Sequence, residues 1–575
     1  MTTDHSSFIL VPPEEDPMKA ANLAETPSGV FAIRRQVMWN RLLAVVEEQA
    51  QTLLRTAFSP IVREAGDLSA GVFDLQGHML AQAVTGTPGH VNSMAESVRH
   101  FIEAFPTQSM AEGDVYCTNN PWKGTGHLND LVVTTPAFHR GRLIGLFSCT
   151  SHIVDLGGIG FGPDGTDVFM EGIHLPFLKL VDRGRVNDTL MQIVKTNTRL
   201  PVETEGDIYS LINCNEIGCR RLSEMMAEFG LSSLDDLSAN ILESSRAAVL
   251  AEIARLPRGS WRYEMTIDGY DTPITLAATT TIAEDAVRVD FAGTSSASRF
   301  GINCPLAYAT AYSVFGLSCA LAPSVPNNAG SLSAYSVTAP AHTIVNALPP
   351  APVASRHIIG QMLPDVVFGG LRQVIPDRVP AEGTSCLYLM TFRTRDAEAK
   401  RRFAISVATN GGTGARPGKD GLSATAYPSG VKGTPVEIVE TTTPLLFWRK
   451  ELRPDSGGAG THRGGHGLEL EIENRSAGPI EILAAFDRTK FPPRGRDGGG
   501  PGKRAYLGLK AAGKRLEGKG LQEIPAGERL LLHTPGGGGI GDPRQRDGAA
   551  TAADVKNGVV SPEAARGDYG VEAAE

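Results

Sequence analysis

A long stretch without charged side chains constrains the fold of this 575-residue chain more than any other feature of its sequence. No Asp, Glu, Lys or Arg occurs between Gly301 and Ser355. Its most apolar part, Leu306 to Ala322, is shorter than the roughly 20 apolar residues that span a bilayer. This part also contains tyrosine, serine and threonine hydroxyls, which lipid would penalise. We therefore predict a helix buried in a large soluble core, and no membrane span.

The remaining composition is typical of a cytoplasmic protein with more than one domain. The chain exceeds the roughly 100–200 residues of one domain, so we expect at least two packed units. The net charge of −9 argues against a nucleic-acid partner, which requires a basic face. Seven scattered cysteines without a C-x-x-C pair predict neither a disulfide framework nor a cysteine zinc site. The polar start does not resemble a secretion signal.

The spacing of apolar residues predicts a mixed α/β (α+β) fold. Val30 to Phe58 has the period of one long helix, and two hairpins follow with turns at Gln76-Gly77 and Arg140-Gly141. After about Pro257, strand patterns and Gly-rich loops predominate. We divide the chain into a polar tail at 1–27, a helix-plus-hairpin domain bearing the site at 28–256, a β-rich domain with the buried helix at 257–544, and a flexible tail at 545–575.

Two H-x-x-D segments are the strongest chemical signal. They run from His127 to Asp130 and from His152 to Asp155. Imidazole nitrogen and carboxylate oxygen together are ligands for a divalent metal. Asp130 lies ten residues before the turn at Arg140 and His152 lies twelve after it, so an antiparallel hairpin brings them to the same end. Spacing alone leaves open the alternative that these residues only form caps and turn hydrogen bonds.

The first hairpin has the same arrangement of carboxylate and imidazole residues. Asp67 lies about ten residues before the turn at Gln76-Gly77, and His90 about thirteen after it. Glu64 also precedes this hairpin. We expect the open ends of the two hairpins to meet around one divalent metal.

Other kinds of chemistry receive little support from the sequence. The chain has no GxxxxGK[ST] motif and no strand–GxGxxG–helix unit, so we predict no ATP site on it. The segment 411–416 could present N–H groups to an anion, but tight turns between strands are the favoured interpretation of the Gly-rich loops. Cys149 lies three residues before His152. Its place in an apolar strand favours a core residue over a thiolate nucleophile.

Taken together, the segments resemble the hydantoinase B/oxoprolinase family, which includes the large metal-bearing subunit of acetone carboxylase. The matching order extends from about residue 30 to 545. It includes PGHVNSM (88–94), GTGHLND (124–130), HIVDLGG (152–158), GINCP (301–305), GGTGARPG (411–418) and GGGGIGDP (536–543).

The resemblance implies a B-type subunit of an ATP-dependent cyclic-amide hydrolase of the hydantoinase, oxoprolinase or lactamase type. Such a subunit would hold one divalent metal, namely zinc, manganese or iron. It would work with an A-type subunit that binds ATP and Mg, in a hetero-oligomer such as a heterotetramer. The ring substrate, the metal and the stoichiometry are left open by the sequence.

The resemblance also implies roles for individual residues. The metal ligands carried over by motif are Asp67, His127, Asp130 and His152. Glu64 and Asp155 are candidate proton acceptors, and His90 and Asn303 are candidate substrate-binding residues. Ala65-Gly66 stands where family members often have a basic or polar pair, which leaves open whether Glu64 or Asp67 is the ligand. Ser151 stands where members often have a second histidine, which indicates His152 alone as a ligand.

Two alternative functions remain at this stage. One is a subunit of an ATP-dependent ketone carboxylase of the acetone carboxylase kind, in which the metal would stabilise an enolate. The other is a non-catalytic scaffold that completes the partner's site. The metal content of the purified protein distinguishes the scaffold from both enzymes. The two enzymes differ in the compound on which ADP release depends, a cyclic amide for the hydrolase and a ketone with bicarbonate for the carboxylase.

Overall fold

A computed structural model describes residues 27–84, 86–394 and 403–571. The predicted tail at 1–27 lies outside the described residues except for its last one. The α-helices are α1 (Pro27–Thr56), α2 (Pro60–Arg63), α3 (Pro88–Ala104), α4 (Asp188–Asn197), α5 (Pro201–Phe229), α6 (Asp235–Ile253), α7 (Leu306–Leu321), α8 (Ala329–Leu332), α9 (His357–Gly360), α10 (Leu363–Leu371), α11 (Val436–Thr442), α12 (Gly548–Lys556) and α13 (Pro562–Ala564).

Twenty strands accompany these helices in the described part of the chain. They are β1 (Leu68–Phe73), β2 (Met79–Gln82), β3 (Val115–Thr118), β4 (Asp130–His139), β5 (Arg142–His152), β6 (Leu178–Asp182), β7 (Arg185–Val186), β8 (Gly259–Ile267), β9 (Ile274–Ile282), β10 (Val287–Asp290), β11 (Tyr335–Thr338), β12 (Tyr388–Thr394), β13 (Ala404–Thr409), β14 (Leu445–Leu452), β15 (Leu468–Asn474), β16 (Ile480–Ala485), β17 (Tyr506–Leu509), β18 (Lys514–Arg515), β19 (Lys519–Ile524) and β20 (Arg529–His533). The predicted mixed α/β fold is confirmed.

The strands form four sheets, of which the first positions the candidate site. Its order is β2-β1-β5-β4-β3-β6-β7, and the others are β11-β10-β9-β8, β13-β12-β16-β19 and β14-β15-β20-β17-β18. Both predicted hairpins are present as β1–β2 and β4–β5. Arg140 and Gly141 turn the second hairpin at φ 52° and 78°, and positive φ at both central residues suits the twist of a two-residue hairpin. Because β5 pairs antiparallel with both β1 and β4, the end of β5 and the starts of β1 and β4 lie together at one end of the sheet.

Helices cover both faces of the first sheet. Leu131 and Val133 join the core with α1 and α5, whereas Val132 between them joins the core with α3. This alternation is expected of a strand that is buried on both faces. Gln49 of α1 donates to the side chain of Asn215 of α5 at 2.7 Å, a fully buried contact that fixes the two helices against each other.

The charge-free stretch forms the buried helix that the sequence predicts. Helix α7 packs against α3 and α10, and most of its side chains are buried. Within the described ranges, no helix combines the length and the apolar character that crossing a membrane requires. Leu387, Leu389 and Val431, from the second half of the chain, join the core of the first sheet. The domain division at residue 256 stays a prediction.

The Gly-rich segments differ from the predicted turns, because they pack backbone against backbone. The N–H of Gly412 donates to the carbonyl of Pro535, that of Gly465 to Thr413, and that of Gly537 to Gly465. A Cβ atom added at Gly537 would lie 1.8 Å from the carbonyl oxygen of Thr413. The N–H groups at 412, 413 and 415 all bond to carbonyls, so the anion-binding alternative for this segment receives no support.

The flexible tail predicted at 545–575 is wrong for the described residues up to 571. Two short helices, α12 and α13, form there, followed by a π-helical turn at Ala565–Tyr569. The segment is held by Arg546, which is buried and pairs with Asp420 and Asp554 at 2.7 Å each. Tyr569 and two neighbouring apolar residues add a small core. Composition alone did not reveal these long-range ion pairs.

Candidate metal centre

The residues predicted to bind metal lie at the end of the sheet where β1 and β4 begin and β5 ends. Asp130 is the first residue of β4 and His152 is the last of β5, and the two are direct partners in the hairpin register. Asp67 precedes β1, and its carbonyl accepts a hydrogen bond from the backbone N–H of His152 at 3.3 Å. His127 reaches the same end from the loop before β4. His90, near the start of α3, completes the cluster.

Distances show that the hydrogen-bonding atoms of this cluster converge on Asp130. Its Oδ1 lies 2.6 Å from Nε2 of His127 and 3.4 Å from Nδ1 of His152, and its Oδ2 lies 3.0 Å from Nε2 of His90. The ring centroids of His127 and His152 are 5.4 Å apart. One ligand atom each from His127, Asp130 and His152 lies within 4.8 Å of the others. The hairpin register therefore brings Asp130 and His152 together as predicted, and His127 lies beside them.

The donor set fits a divalent cation. Nδ1 of His127 lies 2.8 Å from the carbonyl oxygen of Ala354, which can only accept, so Nδ1 carries the proton. Nε2 then faces the Asp130 carboxylate with a lone pair, and a cation relieves that contact. Nε2 of His152 is buried without a hydrogen-bond partner. A bound cation would give this buried nitrogen the partner that a buried polar group requires.

Electrostatics keep these groups in ligand-competent forms. Burial, and then the Arg356 charge, lower the pKa of His127 to about 3, so the ring is neutral. Burial alone would raise the pKa of Asp130, but the charges of His90 and Arg356 hold it well below its usual value. Burial also opposes protonation of His90, yet the Asp130 and Asp67 carboxylates raise its pKa. The centre thus holds an ionised carboxylate beside neutral imidazole.

The cavity at the centre is small, and the residues that line it are buried. Its volume is about 20 Å³, enough for an ion or one water molecule and too small for a ring substrate. Phe161 lies edge-on against the rings of His127 and His152 at centroid distances of 5.6 and 4.8 Å. Leu387 and Leu389 also line the cavity. Access for a ring substrate therefore requires a movement of this wall.

Sequence reasoning missed two basic residues of the cavity, Arg356 and His357. Arg356 is buried, donates to the carbonyl of Thr125 at 2.7 Å, and pairs with the Asp130 carboxylate. His357 is buried, and its Nε2 has no hydrogen-bond partner. One signal was available: Arg356 is the first charged residue after the charge-free stretch, so its surroundings in the sequence already indicated burial.

The structure does not bring Glu64, Asp155 or Asn303 to the cavity. Glu64 pairs with Arg63 at 2.8 Å, and Asp155 pairs with Arg199. The amide of Asn303 donates to three backbone carbonyls, those of residues 298, 300 and 352. These contacts occupy the groups that proton transfer or substrate binding would need. The catalytic and substrate-binding roles given to them from the sequence are not supported by their placement.

A buried carboxyl group, that of Glu171, holds the peptide that orients His127. Its Oε1 accepts from the N–H groups of Val353 and Ala354 at 2.7 and 2.8 Å. The carbonyl of Ala354 in turn accepts from His127. Burial raises the pKa of Glu171 to about 8, so the group is protonated at neutral pH and adds no charge beside the centre.

We expect Glu171→Ala to weaken divalent metal binding by about 10–100-fold, because groups that orient a metal-binding histidine contribute on that scale. Glu171→Gln keeps an acceptor oxygen for both N–H groups and should bind metal nearly as well as the wild type. Competitive titration with a chelator measures the affinities. Equal affinities of the wild type and Glu171→Ala would contradict this positioning role.

Comparisons with known proteins identify the family of this chain. The family model described as hydantoinase B/oxoprolinase matches residues 32–543. The chain is 29% identical over 568 residues to the B-type subunit of a putative D-/L-hydantoinase of Pseudomonas sp. (strain NS671), covering 93% of this chain and 94% of that protein.

Solved structures show the same fold. The crystal structure of the ATP-dependent caprolactamase from Pseudomonas jessenii superposes with a TM-score of 0.86 at 27% identity, covering 95% of this chain and 96% of that one. A nucleotide-free acetone carboxylase structure superposes with a TM-score of 0.84 at 20% identity, covering 96% and 82%, and shows likeness of fold alone. Since one family model spans nearly all of the described residues, the chain belongs to the hydantoinase B/oxoprolinase family.

Proposed function

We propose that this chain is the metal-holding B-type subunit of an ATP-dependent cyclic-amide hydrolase. The observation that supports the proposal most is the buried cluster of His127, Asp130 and His152, whose ligand atoms lie within 4.8 Å of one another. A relative named as the B-type subunit of a hydantoinase and a structure named as an ATP-dependent caprolactamase support the reaction class. Acetone carboxylase shares only the fold, so a ketone carboxylase remains the weaker candidate.

The proposed division of work follows from what this chain lacks and what it holds. The sequence contains no recognisable nucleotide motif, so an A-type subunit would bind ATP and Mg and activate the ring amide by phosphoryl transfer to its carbonyl oxygen. A divalent metal bound by His127, Asp130 and His152 would polarise a carbonyl or lower the pKa of a water molecule. Zinc, manganese and iron all accept such ligands.

Neighbouring residues would supply proton transfer and exclude water. Nδ1 of His90 lies 3.6 Å from Oδ1 of Asp67, and no hydrogen bond occupies that nitrogen. Thr87 fixes the Asp67 carboxylate through its hydroxyl at 3.2 Å. His90 and Asp67 can therefore hold a proton at Nδ1 and exchange it with a group that enters the cavity. Phe161 and the two leucines keep bulk water out.

The isolated chain is expected to release no ADP, and the complex with the A-type subunit is expected to release ADP in the presence of a cyclic amide. The measurement is a screen of the co-expressed pair with hydantoins, 5-oxoproline and caprolactam, each with and without ATP. His152→Ala in the same complex is the matched control. ADP release that depends on a ketone plus bicarbonate, and on no ring, would replace the proposal with the carboxylase. Robust ATP-dependent turnover by this chain alone would contradict the division of work.

A further inference from the structure

Arg356 occupies a position that metal chemistry alone does not explain. The residue is 2% exposed, and its guanidinium lies over the ring of Tyr308 at 4.0 Å. Gly126 has φ 95°, and a Cβ added there would lie 2.7 Å from Nε of Arg356. Glycine at position 126 therefore leaves room for the Arg356 side chain, and its backbone conformation suits glycine alone. A permanent positive charge buried beside a metal centre repels the metal ion. The position of Arg356 therefore calls for a role other than metal binding.

Part of the Arg356 guanidinium lacks a true acceptor. Nε donates to the carbonyl of Thr125, and Nη2 donates to Oδ2 of Asp130. Nη1 lies 3.3 Å from Nδ1 of His127. That nitrogen already donates to Ala354 and cannot accept. At least one N–H group of this buried guanidinium is thus left without an acceptor, which is unfavourable for a donor that is buried among the cavity residues.

The charges at the centre indicate what that N–H group meets. The Asp67 carboxylate and the Arg356 guanidinium line the cavity, and the Asp130 carboxylate pairs with Arg356 beside it. Together with a divalent ion, these two carboxylates and one guanidinium carry a surplus of at least one positive charge, whatever the protonation of the imidazoles. An uncompensated buried charge is costly, so the metal-loaded cavity needs an anion. Such an anion would accept a hydrogen bond from the unpartnered N–H group of Arg356 and would also bind the metal.

We propose that Arg356 binds an anionic oxygen of the substrate at the metal-loaded centre, and this rests on the proposed function. A ring carboxylate, or a phosphoryl group transferred from ATP, presents such an oxygen. A guanidinium is suited to either, since it donates in a planar fork. Asp130 would also be a ligand of the metal, which would weaken its bond to Nη2 and leave the Arg356 guanidinium free to donate to the substrate oxygen.

Two binding measurements on the purified, metal-loaded chain test this without turnover. The probes are formate for a carboxylate and inorganic phosphate for a phosphoryl group, titrated calorimetrically. We expect Arg356→Met to lower the affinity for the anion by about tenfold or more, the scale of one charge-assisted hydrogen bond. The affinity for the metal should stay unchanged or rise, because the substitution removes a neighbouring positive charge. Arg356→Lys keeps the charge and should retain part of the anion affinity.

A purely structural Arg356 gives the opposite result. If Arg356→Met lowers metal affinity while anion affinity stays at the wild-type value, Arg356 only positions Asp130 and the proposal is overturned. Should Arg356→Met fail to fold, as judged by its melting curve, Arg356→Gln provides the uncharged comparison, because its amide can still donate to Thr125.

Turnover in the complex then separates the two sources of the anion. Loss of activity on 5-oxoproline, with activity on its uncharged counterpart 2-pyrrolidone retained, assigns Arg356 to the ring carboxylate. Equal loss on both rings assigns it to the phosphoryl oxygen. No loss on either overturns the proposal. If the wild-type complex acts on no ring, the proposed function fails, and the formate and phosphate titrations still decide the role of Arg356.

Discussion

Replacing His152 by alanine is expected to remove most of the bound metal and to reduce turnover of the complex by more than about 100-fold, beyond the loss caused by outer-shell changes. His152 is one of three residues whose ligand atoms converge, and the remaining two, His127 and Asp130, cannot complete a coordination shell alone. The metal-to-protein ratio after dialysis and the rate of ADP release measure the two effects. Full metal content in His152→Ala would remove this residue from the ligand set.

Cys149→Ser is the matched control three residues away on the same strand. Cys149 is fully buried, its thiol donates to the carbonyl of Leu211 at 3.3 Å, and burial holds its pKa well above the usual value. A serine there should cost about 1–2 kcal/mol of stability, as a modest core change does, and leave metal and turnover largely intact. If Cys149→Ser abolished turnover with metal content and folding preserved, thiol chemistry would replace the metal mechanism.

The central part of the candidate site was predictable because it is local to one hairpin. Asp130 and His152 are unequally spaced from their turn, and the structure still pairs them because a β-bulge at Ala137 and Phe138 absorbs one residue. The two-residue turn, the alternation of apolar residues and the two H-x-x-D segments all act over short distances. The buried helix was predictable for a similar reason, since its composition excludes a solvent-exposed face.

The remainder of the site depends on contacts between residues that are far apart in the sequence. Arg356 meets Asp130 across 226 positions, and Leu387 and Val431 reach the cavity from further still. No spacing rule connects such segments. Asp155 shows the converse failure, because an identical H-x-x-D spacing places it with Arg199 instead of in the cavity. Residue types that repeat at one spacing can therefore differ in role once tertiary packing is set.

The Gly-rich segments show why composition alone misjudged the second half of the chain. Glycine in loops usually indicates turns, and turns tolerate substitution. Here the glycines permit one backbone to approach another. Added Cβ atoms at Gly412 and Gly464 would lie 1.9 Å from the carbonyl oxygens of Gly465 and Gly537, distances that no real Cβ atom adopts. Neither of these two positions depends on a positive φ.

Gly537→Ala is accordingly expected to destabilise the fold by at least about 3 kcal/mol, the upper range for overpacking, because the group it meets is backbone and cannot rotate away. Its Cβ would lie 1.8 Å from the Thr413 oxygen, and the Gly537 N–H bond to Gly465 would be displaced with it. Gly478→Ala is the control, since nothing lies within 4 Å of a Cβ there, and its stability should change by less than about 0.5 kcal/mol. Denaturant unfolding of both variants measures the difference. Equal midpoints would show that these segments part easily, and the glycines would then be turn residues after all.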